Sequence, residues 1–420
     1  MKNFTTNFKL VLISQIISLI GGNVLRFALI LFILDMSNSA GAFGTVMAVS
    51  QIPLLIFSIP GGIIADRLNK KKLIVLLDGV KTVICGFLLF IFISQTYSIA
   101  NLTLVITLFM TLVTLFAPIL TAATPEIVDE KSLTAANGAI QSINAMSELL
   151  SFVLGGVLIA TIGIVNIIIL ATILFAISTA LNLFIKIPFT KQNTQTGIIK
   201  TVTNDLKEAT TYATKINPFI IKLSLYIAVF AFILNPIVGV ALPYIVRVTF
   251  EASDFMFATS QALSALGMLI GGVIAGKLVH FLRFTNFHKL TALVAVITLL
   301  LAVAVHLPLF PNLTGPFWLF NLAIMGIMIF VTFGNIICFS YIQEHVPTKY
   351  LGKTVALLIT ILSLAGPISQ IAFGHLMSRT AHILPILFIL IAILLLILAR
   401  AAYHLFSKDS SLATLETKTT

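Results

Sequence analysis

The stretch GGIIADRLNKKKL, Gly61 to Leu73, packs Asp66, Arg67, Lys70, Lys71 and Lys72 into seven positions directly behind the apolar run IPLLIFSIP. Charged residues are only 9% of the 420-residue chain and hydrophobic residues are 59%, whereas a soluble domain carries about a quarter charged residues. With a mean hydropathy of +1.12, this is a membrane protein, and the cluster marks a connection between spans. Apolar stretches near the roughly 20 residues that cross a bilayer as a helix recur throughout. They fall at about 10–34, 43–64, 73–94, 102–122, 137–160, 163–186, 218–242, 255–280, 289–308, 316–341, 352–377 and 383–405. The expected fold is an all-α polytopic protein with twelve transmembrane helices. The basic lead MKNFTTNFK precedes an apolar run too long for a signal core, so the first stretch is expected to be a retained helix.

Net charge is +11, and its distribution explains it without a nucleic-acid partner. With the N-terminus in the cytoplasm, the even-numbered connections hold Arg67, Lys70, Lys71, Lys72, Lys186, Lys191, Lys200, Lys207, Lys215, Lys277, Arg283, Lys289, Lys349 and Lys353, against Arg247 and Arg379 opposite. This positive-inside asymmetry predicts that both termini are cytoplasmic. Cys85 and Cys338 fall within predicted helices and form no disulfide framework.

The text GGIIADRL at Gly61–Leu68 returns as GGVIAGKL at Gly271–Leu278, and PEIVDEKSL ending at Leu133 returns as QEHVPTKYL ending at Leu351. Two echoes in the same order at offsets of 210 and 218 indicate a duplication. Expected boundaries are 1–190 for an N-terminal six-helix bundle, 191–217 for a central cytoplasmic loop, 218–405 for a second bundle and 406–420 for a polar tail. Within the loop, Ile198, Ile199, Val202, Leu206 and Ala209 recur at helical spacing, as in an amphipathic helix lying on the membrane surface.

Two six-helix halves, a central loop and the Gly61–Leu73 stretch together resemble the major facilitator superfamily. Its loop signature G-x-x-x-D-R-x-G-R-K is met by Gly62, Asp66, Arg67, Lys70 and Lys71, with Asn69 in place of the glycine and Lys70 in place of the arginine. Asparagine tolerates the left-handed conformation that ends a helix, whereas lysine forfeits the bidentate fork of arginine. The segments Asp205–Phe230 and Pro125–Ser142 are similar to the branch containing macrolide efflux proteins and enterobactin exporters. The resemblance implies a cytoplasmic gate in which these residues and Asp78 clamp the inner side shut. Solvated orientation charges are the plainer alternative.

Candidates for a cavity lining are Thr107, Thr111 and Thr114, which share one face with Thr103 and either wet a cavity or bond their own preceding turn. Further candidates are Asn235, beside the helix-interrupting Pro236, and Asn321, Met325, Met328 and Asn335 on the tenth span, where Met at helical spacing also serves as core. Two intramembrane charges stand away from helix ends, Arg26 and Glu148, each costing about 3 kcal/mol near a helix centre. From the cytoplasmic ends they lie about 16 and 11 residues deep, roughly 8 Å apart in depth. Three readings stay open: a static ion pair, a proton-exchanging Glu148, or a Glu148 that binds cationic substrate, with Asp35 as the reserve proton site. The seven histidines show no ligand spacing, no phosphate-binding loop occurs, and neither metal, cofactor nor enzymatic constellation is indicated.

The expected protein is a monomeric plasma-membrane antiporter, exchanging protons for a small amphipathic or hydrophobic compound such as a drug, antibiotic or siderophore-like molecule. Uptake or uniport of a metabolite is the alternative within transport, and a membrane scaffold or receptor the alternative outside it.

Overall fold

The computed structural model describes residues 5–129, 132–188, 203, 207–208, 210–278, 287–306, 314–379 and 384–406. All regular structure among them is helical. In lipid a chain has no water to satisfy its amides, so an apolar segment closes its hydrogen bonds within itself. Among the described residues eleven helices are long and apolar enough to cross a membrane. We label them α1 (Thr6–Ser37), α2 (Ala40–Arg67), α3 (Lys70–Ile93), α4 (Ile99–Ile127), α5 (Leu133–Phe184), α6 (Pro218–Thr249), α7 (Asp254–Leu278), α8 (Phe287–His306), α9 (Thr314–His345), α10 (Thr348–Arg379) and α11 (Leu384–Phe406).

Helix α5 contains the fifth and sixth expected spans. Its 52 residues amount to about 78 Å, well over twice the roughly 30 Å depth of a hydrocarbon core. The two arms meet at Gly163, where φ 72 and ψ 170 break the helix, in a region essentially closed to residues with a Cβ. The expected interruption at Asn235–Pro236 is different in kind. The chain does not break there but passes into π winding at Ile237–Ala241 and again, after Pro243, at Ile245–Thr249. The wider turn accommodates the missing proline donors without ending α6.

The starts of α1, α3 and α4 are capped by side chains. Thr5 accepts from the Phe8 amide, Ser98 from Asn101, and Asn69 from Lys72. Asn69 thereby corrects the reading from its motif position: its φ is −65 and its backbone extended, so it starts α3 as an N-cap and does not end α2 in a left-handed turn.

Backbone contacts divide the chain into two compact units. The first comprises Met1–Asn38, Val46–Asn204 and Ala252–Thr259. In it α1 packs along both arms of α5, and α3 packs against the second arm. Its core joins Phe8, Val11 and Leu12 of α1 to Leu120 and Ile127 of α4 and Ile140 of α5. The second unit comprises Ser39–Thr45, Asp205–Glu251 and Ser260–Thr420, with α8 between α9 and α11, and α6 against α10. The amphipathic surface helix expected across Ile198–Ala209 rests on positions outside the described residues. The segment after it is built into the second unit: Tyr212 and Ala213 are buried in its core, Tyr212 stacks on Tyr350 at 4.6 Å, and Glu208 pairs with Lys353 at 2.6 Å.

Close helix approach in the second unit depends on Gly271. A Cβ there would stand 2.5 Å from the Ile329 carbonyl oxygen of α9, whereas one at neighbouring Gly272 would meet nothing within 4 Å. Gly271→Ala should therefore destabilise the protein by about 1–3 kcal/mol through forced separation of α7 and α9, and Gly272→Ala should be close to neutral. Thermal unfolding of both detergent-purified variants checks this. Equal midpoints for the two would refute it.

Candidate functional site

A cavity of about 350 Å³ opens within the first unit. Three helical stripes build most of it. Helix α1 presents Gln15, Ser18, Gly22 and Arg26, the first arm of α5 presents Ile140, Gln141, Asn144 and Glu148, and α4 presents an apolar face including Phe109, Val113, Phe116 and Leu120. Apart from the adjacent Ile140 and Gln141, each stripe repeats at three or four residues, as one face of a helix must. The result is amides and charges on one wall and rings and aliphatic groups on the other. Gln15 donates to Asn144 Oδ1 at 3.0 Å, and its buried Oε1 has no protein donor.

Arg26 and Glu148 meet on this wall, Nη2 to Oε1 at 3.5 Å, with side chains 34% and 51% exposed. They are a pair but not a buried one. At such exposure an ion pair contributes about 0–1 kcal/mol, so either partner separates readily.

Two further charges sit within a span, correcting the expectation that only Arg26 and Glu148 do so. Asp78 is 0% and Lys81 4% exposed, about 12 and 16 Å along α3 from Lys70. Asp78 Oδ1 accepts from Lys81 Nζ at 2.8 Å and Ser18 Oγ at 3.1 Å, while Oδ2 accepts from Ser178 Oγ at 2.6 Å and Asn182 Nδ2 at 2.9 Å. Asp78, grouped by its position with the gate motif, is thus fully engaged inside a network tying α1, α3 and the second arm of α5. Ionic groups taken out of water persist only when so satisfied. Lys81 also lies over the Phe116 ring, 4.7 Å from its centroid, and is the one α3 residue at the cavity. The signal was present in the text, since Ser14/Ser18, Asp78/Lys81 and Ser178/Asn182 each recur at one helical turn. Only the packing of three helices shows that these pairs converge.

In the loop motif, Lys70 reaches Glu126 Oε1 at 2.7 Å with its side chain 12% exposed. This is the single-point contact expected of lysine, and Glu126, at the end of α4, is a partner the motif reading missed. Lys71 borders an open surface cleft of about 650 Å³ with Glu126, Asp129 and Lys186. Arg67 closes α2, half-buried. The side chain of Asp66, the expected centre of the clamp, lies outside what is described, as does the packing around Gly62.

The other candidates are dispersed. Thr103, Thr107 and Thr111 each donate to the carbonyl four residues earlier, at 2.6–2.8 Å. Neither they nor Thr114 line the cavity, which takes the adjacent face of α4. The reason is packing: the apolar side of α4, not its hydroxyl side, is turned to α1 and α5. Asn235 is exposed. Asn321 is fully buried and donates to Phe317 O at 2.8 Å. Met325 and Met328 pack on Gly267 of α7 as core, and Asn335 is exposed on α9. Asp35 is exposed, three residues before the Asn38 cap that ends α1. Among the described residues no cluster of metal-ligating side chains occurs, and Cys85 and Cys338 are buried free thiols.

The partly buried Lys70–Glu126 pair should show measurable coupling. In a double-mutant cycle with Lys70→Gln and Glu126→Gln, the double variant should be less destabilised than the sum of the singles by on the order of 1 kcal/mol. Strict additivity of the unfolding midpoints would show that the contact contributes nothing.

Comparison with known proteins agrees with this architecture. Residues 11–369 match the Major Facilitator Superfamily. Macrolide efflux protein A of Streptococcus pyogenes is 24% identical over 384 residues, covering 88% of this chain and 89% of that protein. The protein of the same name from Enterococcus faecalis is 24% identical over 343 residues, covering 77% and 99%. The nucleoside transporter NupG shares the fold at a TM-score of 0.73 and 12% identity, over 96% of this chain and all of that one. A bacterial homologue of the iron transporter ferroportin does so at 0.70 and 15%, over 96% and 99%. With a family match across most of its length and twelve apolar spans in the helical arrangement of known transporters, the chain belongs to the major facilitator superfamily of membrane transporters.

Proposed function

We propose that the protein exports a small amphipathic or hydrophobic compound by alternating access, driven by proton antiport. The observation carrying this reading is the Arg26–Glu148 pair on the cavity wall. A carboxylate half exposed beside a weakly held arginine exchanges partners at little cost: it binds a proton, or it stays ionised and holds Arg26 or a cationic group of the substrate. Opposite it, Phe109, Val113 and Phe116 offer an apolar surface, and Gln15 and Asn144 offer amides, a combination suited to an amphipathic solute. Two relatives named macrolide efflux protein A support export as the direction. In this reading the chain acts as a monomer in the plasma membrane, with two six-helix halves and both termini cytoplasmic, and it performs no covalent chemistry.

Glu148→Gln removes the exchangeable proton while keeping size and hydrogen bonding. The variant should reach normal membrane abundance, retain binding of a radiolabelled macrolide, and lose about tenfold or more of the efflux driven by a pH gradient in everted vesicles. Efflux at the normal rate with unchanged pH dependence would overturn the assignment and shift the search to Asp35. If Glu148 is solely structural, abundance itself will collapse.

The motif residues have a separate role in the same cycle. Gly62, Asp66, Arg67, Lys70 and Lys71 close the cytoplasmic side, so Asp66→Asn should insert normally yet transport poorly. Full transport by that variant at normal abundance removes the clamp.

A further inference from the structure

We propose that Asp78 is a second proton-binding site, separate from Glu148, and that Lys81 carries its charge state to the cavity, so that a proton and a lipophilic organic cation exclude one another. The inference rests on the proton-coupled export proposed above and adds to it a site inside the first unit.

The geometry supplies both protonation states. With Asp78 ionised, its four acceptor positions are filled by Lys81, Ser18, Ser178 and Asn182. Ser178 Oγ has a second acceptor within reach, the Ser14 carbonyl oxygen at 3.0 Å. A proton drawn from cavity water past Ser18, which lines the cavity, forms an O–H bond on the carboxyl group. That hydroxyl donates from Oδ2 to Ser178 Oγ, and the Ser178 hydrogen turns to the Ser14 carbonyl. Every donor keeps an acceptor, no heavy atom moves far, and release reverses the same steps. A buried carboxylate without such an alternative acceptor would strand a donor on protonation, at the desolvation cost of an unmade bond.

The consequence appears at the cavity wall. Lys81, Arg26 and Glu148 line it, and Asp78 stands directly behind Lys81. Counting these four groups, the wall is neutral when Asp78 is ionised and carries one positive charge when Asp78 is protonated. A cation therefore enters only the first state, and by linkage its entry favours proton release. The groups facing the pair have been placed on each element packed against it: Ser14 and Ser18 on α1, Phe116 on α4, Ser178 and Asn182 on α5, and Thr82 and Cys85 on α3 itself. Among the described residues no acidic or basic side chain beyond Asp78 and Lys81 enters the network.

The test uses the detergent-purified full chain with tetraphenylphosphonium as the probe, its affinity measured by calorimetry at pH 6 and pH 8. In the unaltered protein the affinity should fall about tenfold at the lower pH. Asp78→Asn, leaving Lys81 without its counter-charge, should bind weakly at both. Because Glu148 also exchanges protons in this reading, the Asp78 site is isolated in the Glu148→Gln background. There the pH dependence should persist, reduced, and adding Asp78→Asn/Lys81→Met, which removes both charges of the pair, should leave a folded protein that binds equally at both pH values. Infrared difference spectra of Glu148→Gln between the two pH values should contain a protonated-carboxyl carbonyl band that is absent once Asp78→Asn/Lys81→Met is added. The proposal fails if the triple variant keeps the pH dependence that remains in Glu148→Gln, or if the band persists in it. It also fails if Glu148→Gln shows no such band. If Glu148→Gln abolishes the pH dependence while Asp78→Asn/Lys81→Met alone retains it, proton coupling at Glu148 stands and the Asp78 site falls. If the unaltered protein binds the probe independently of pH but the Asp78 band is present, Asp78 binds protons and its link to the cavity is what fails.

Discussion

The absence of water from the hydrocarbon layer is the constraint from which the rest of this structure follows. Every amide must find its partner within its own segment, so apolar text becomes helix whatever its local propensities. The same pressure acts on side chains. The hydroxyls of Thr103, Thr107 and Thr111 fold back onto carbonyls one turn earlier, and the two interior prolines of α6, Pro236 and Pro243, are absorbed by π winding without ending the helix. Polar chemistry in a span is settled locally wherever it can be.

What cannot be settled locally must be settled between helices. Asp78 has no partner in its own turn other than Lys81, and one lysine leaves carboxylate positions unfilled, so α1 and α5 supply Ser18, Ser178 and Asn182. A polar network in a low-dielectric interior specifies one arrangement because alternatives strand a donor or a charge. Arg26 and Glu148 are solved differently: they face a cavity, where water shares the load and the pair is free to part. Besides the Lys70–Glu126 pair at its helix ends, the unit thus holds two charge pairs deep in its spans in contrasting environments, one sealed and one open. Lys81, at the border of both, is the point where the sealed pair is felt in the open cavity.

Much of this was legible in the sequence alone. Composition and apolar run length are read directly by the bilayer, which requires no tertiary knowledge, and twelve spans followed from them, while the family resemblance rested on the loop signature at Gly62, Asp66, Arg67, Lys70 and Lys71 and on the duplicated halves. Arg26 and Glu148 were identifiable because a charge deep in an apolar run is expensive and needs a reason; their pairing was inferable from depth. Asn69 was misread because its motif position suggested a helix end, whereas its side chain caps the helix that begins after it. The threonine stripe was ambiguous because spacing tells which residues share a face but not what that face is turned toward.

The sequence by itself determined that this chain crosses a membrane and where its apolar spans fall, and it exposed two of the charges deep within those spans, Arg26 and Glu148, since each of those depends on the transfer of one segment from water to hydrocarbon. Only the tertiary structure decided which face of α4 borders the cavity, that Glu126 is the partner of Lys70, and that Asp78 is enclosed by residues from three helices. Those outcomes depend on the rotation of each helix about its own axis, which is set by side-chain packing among neighbours distant in the chain, and no single segment contains that information.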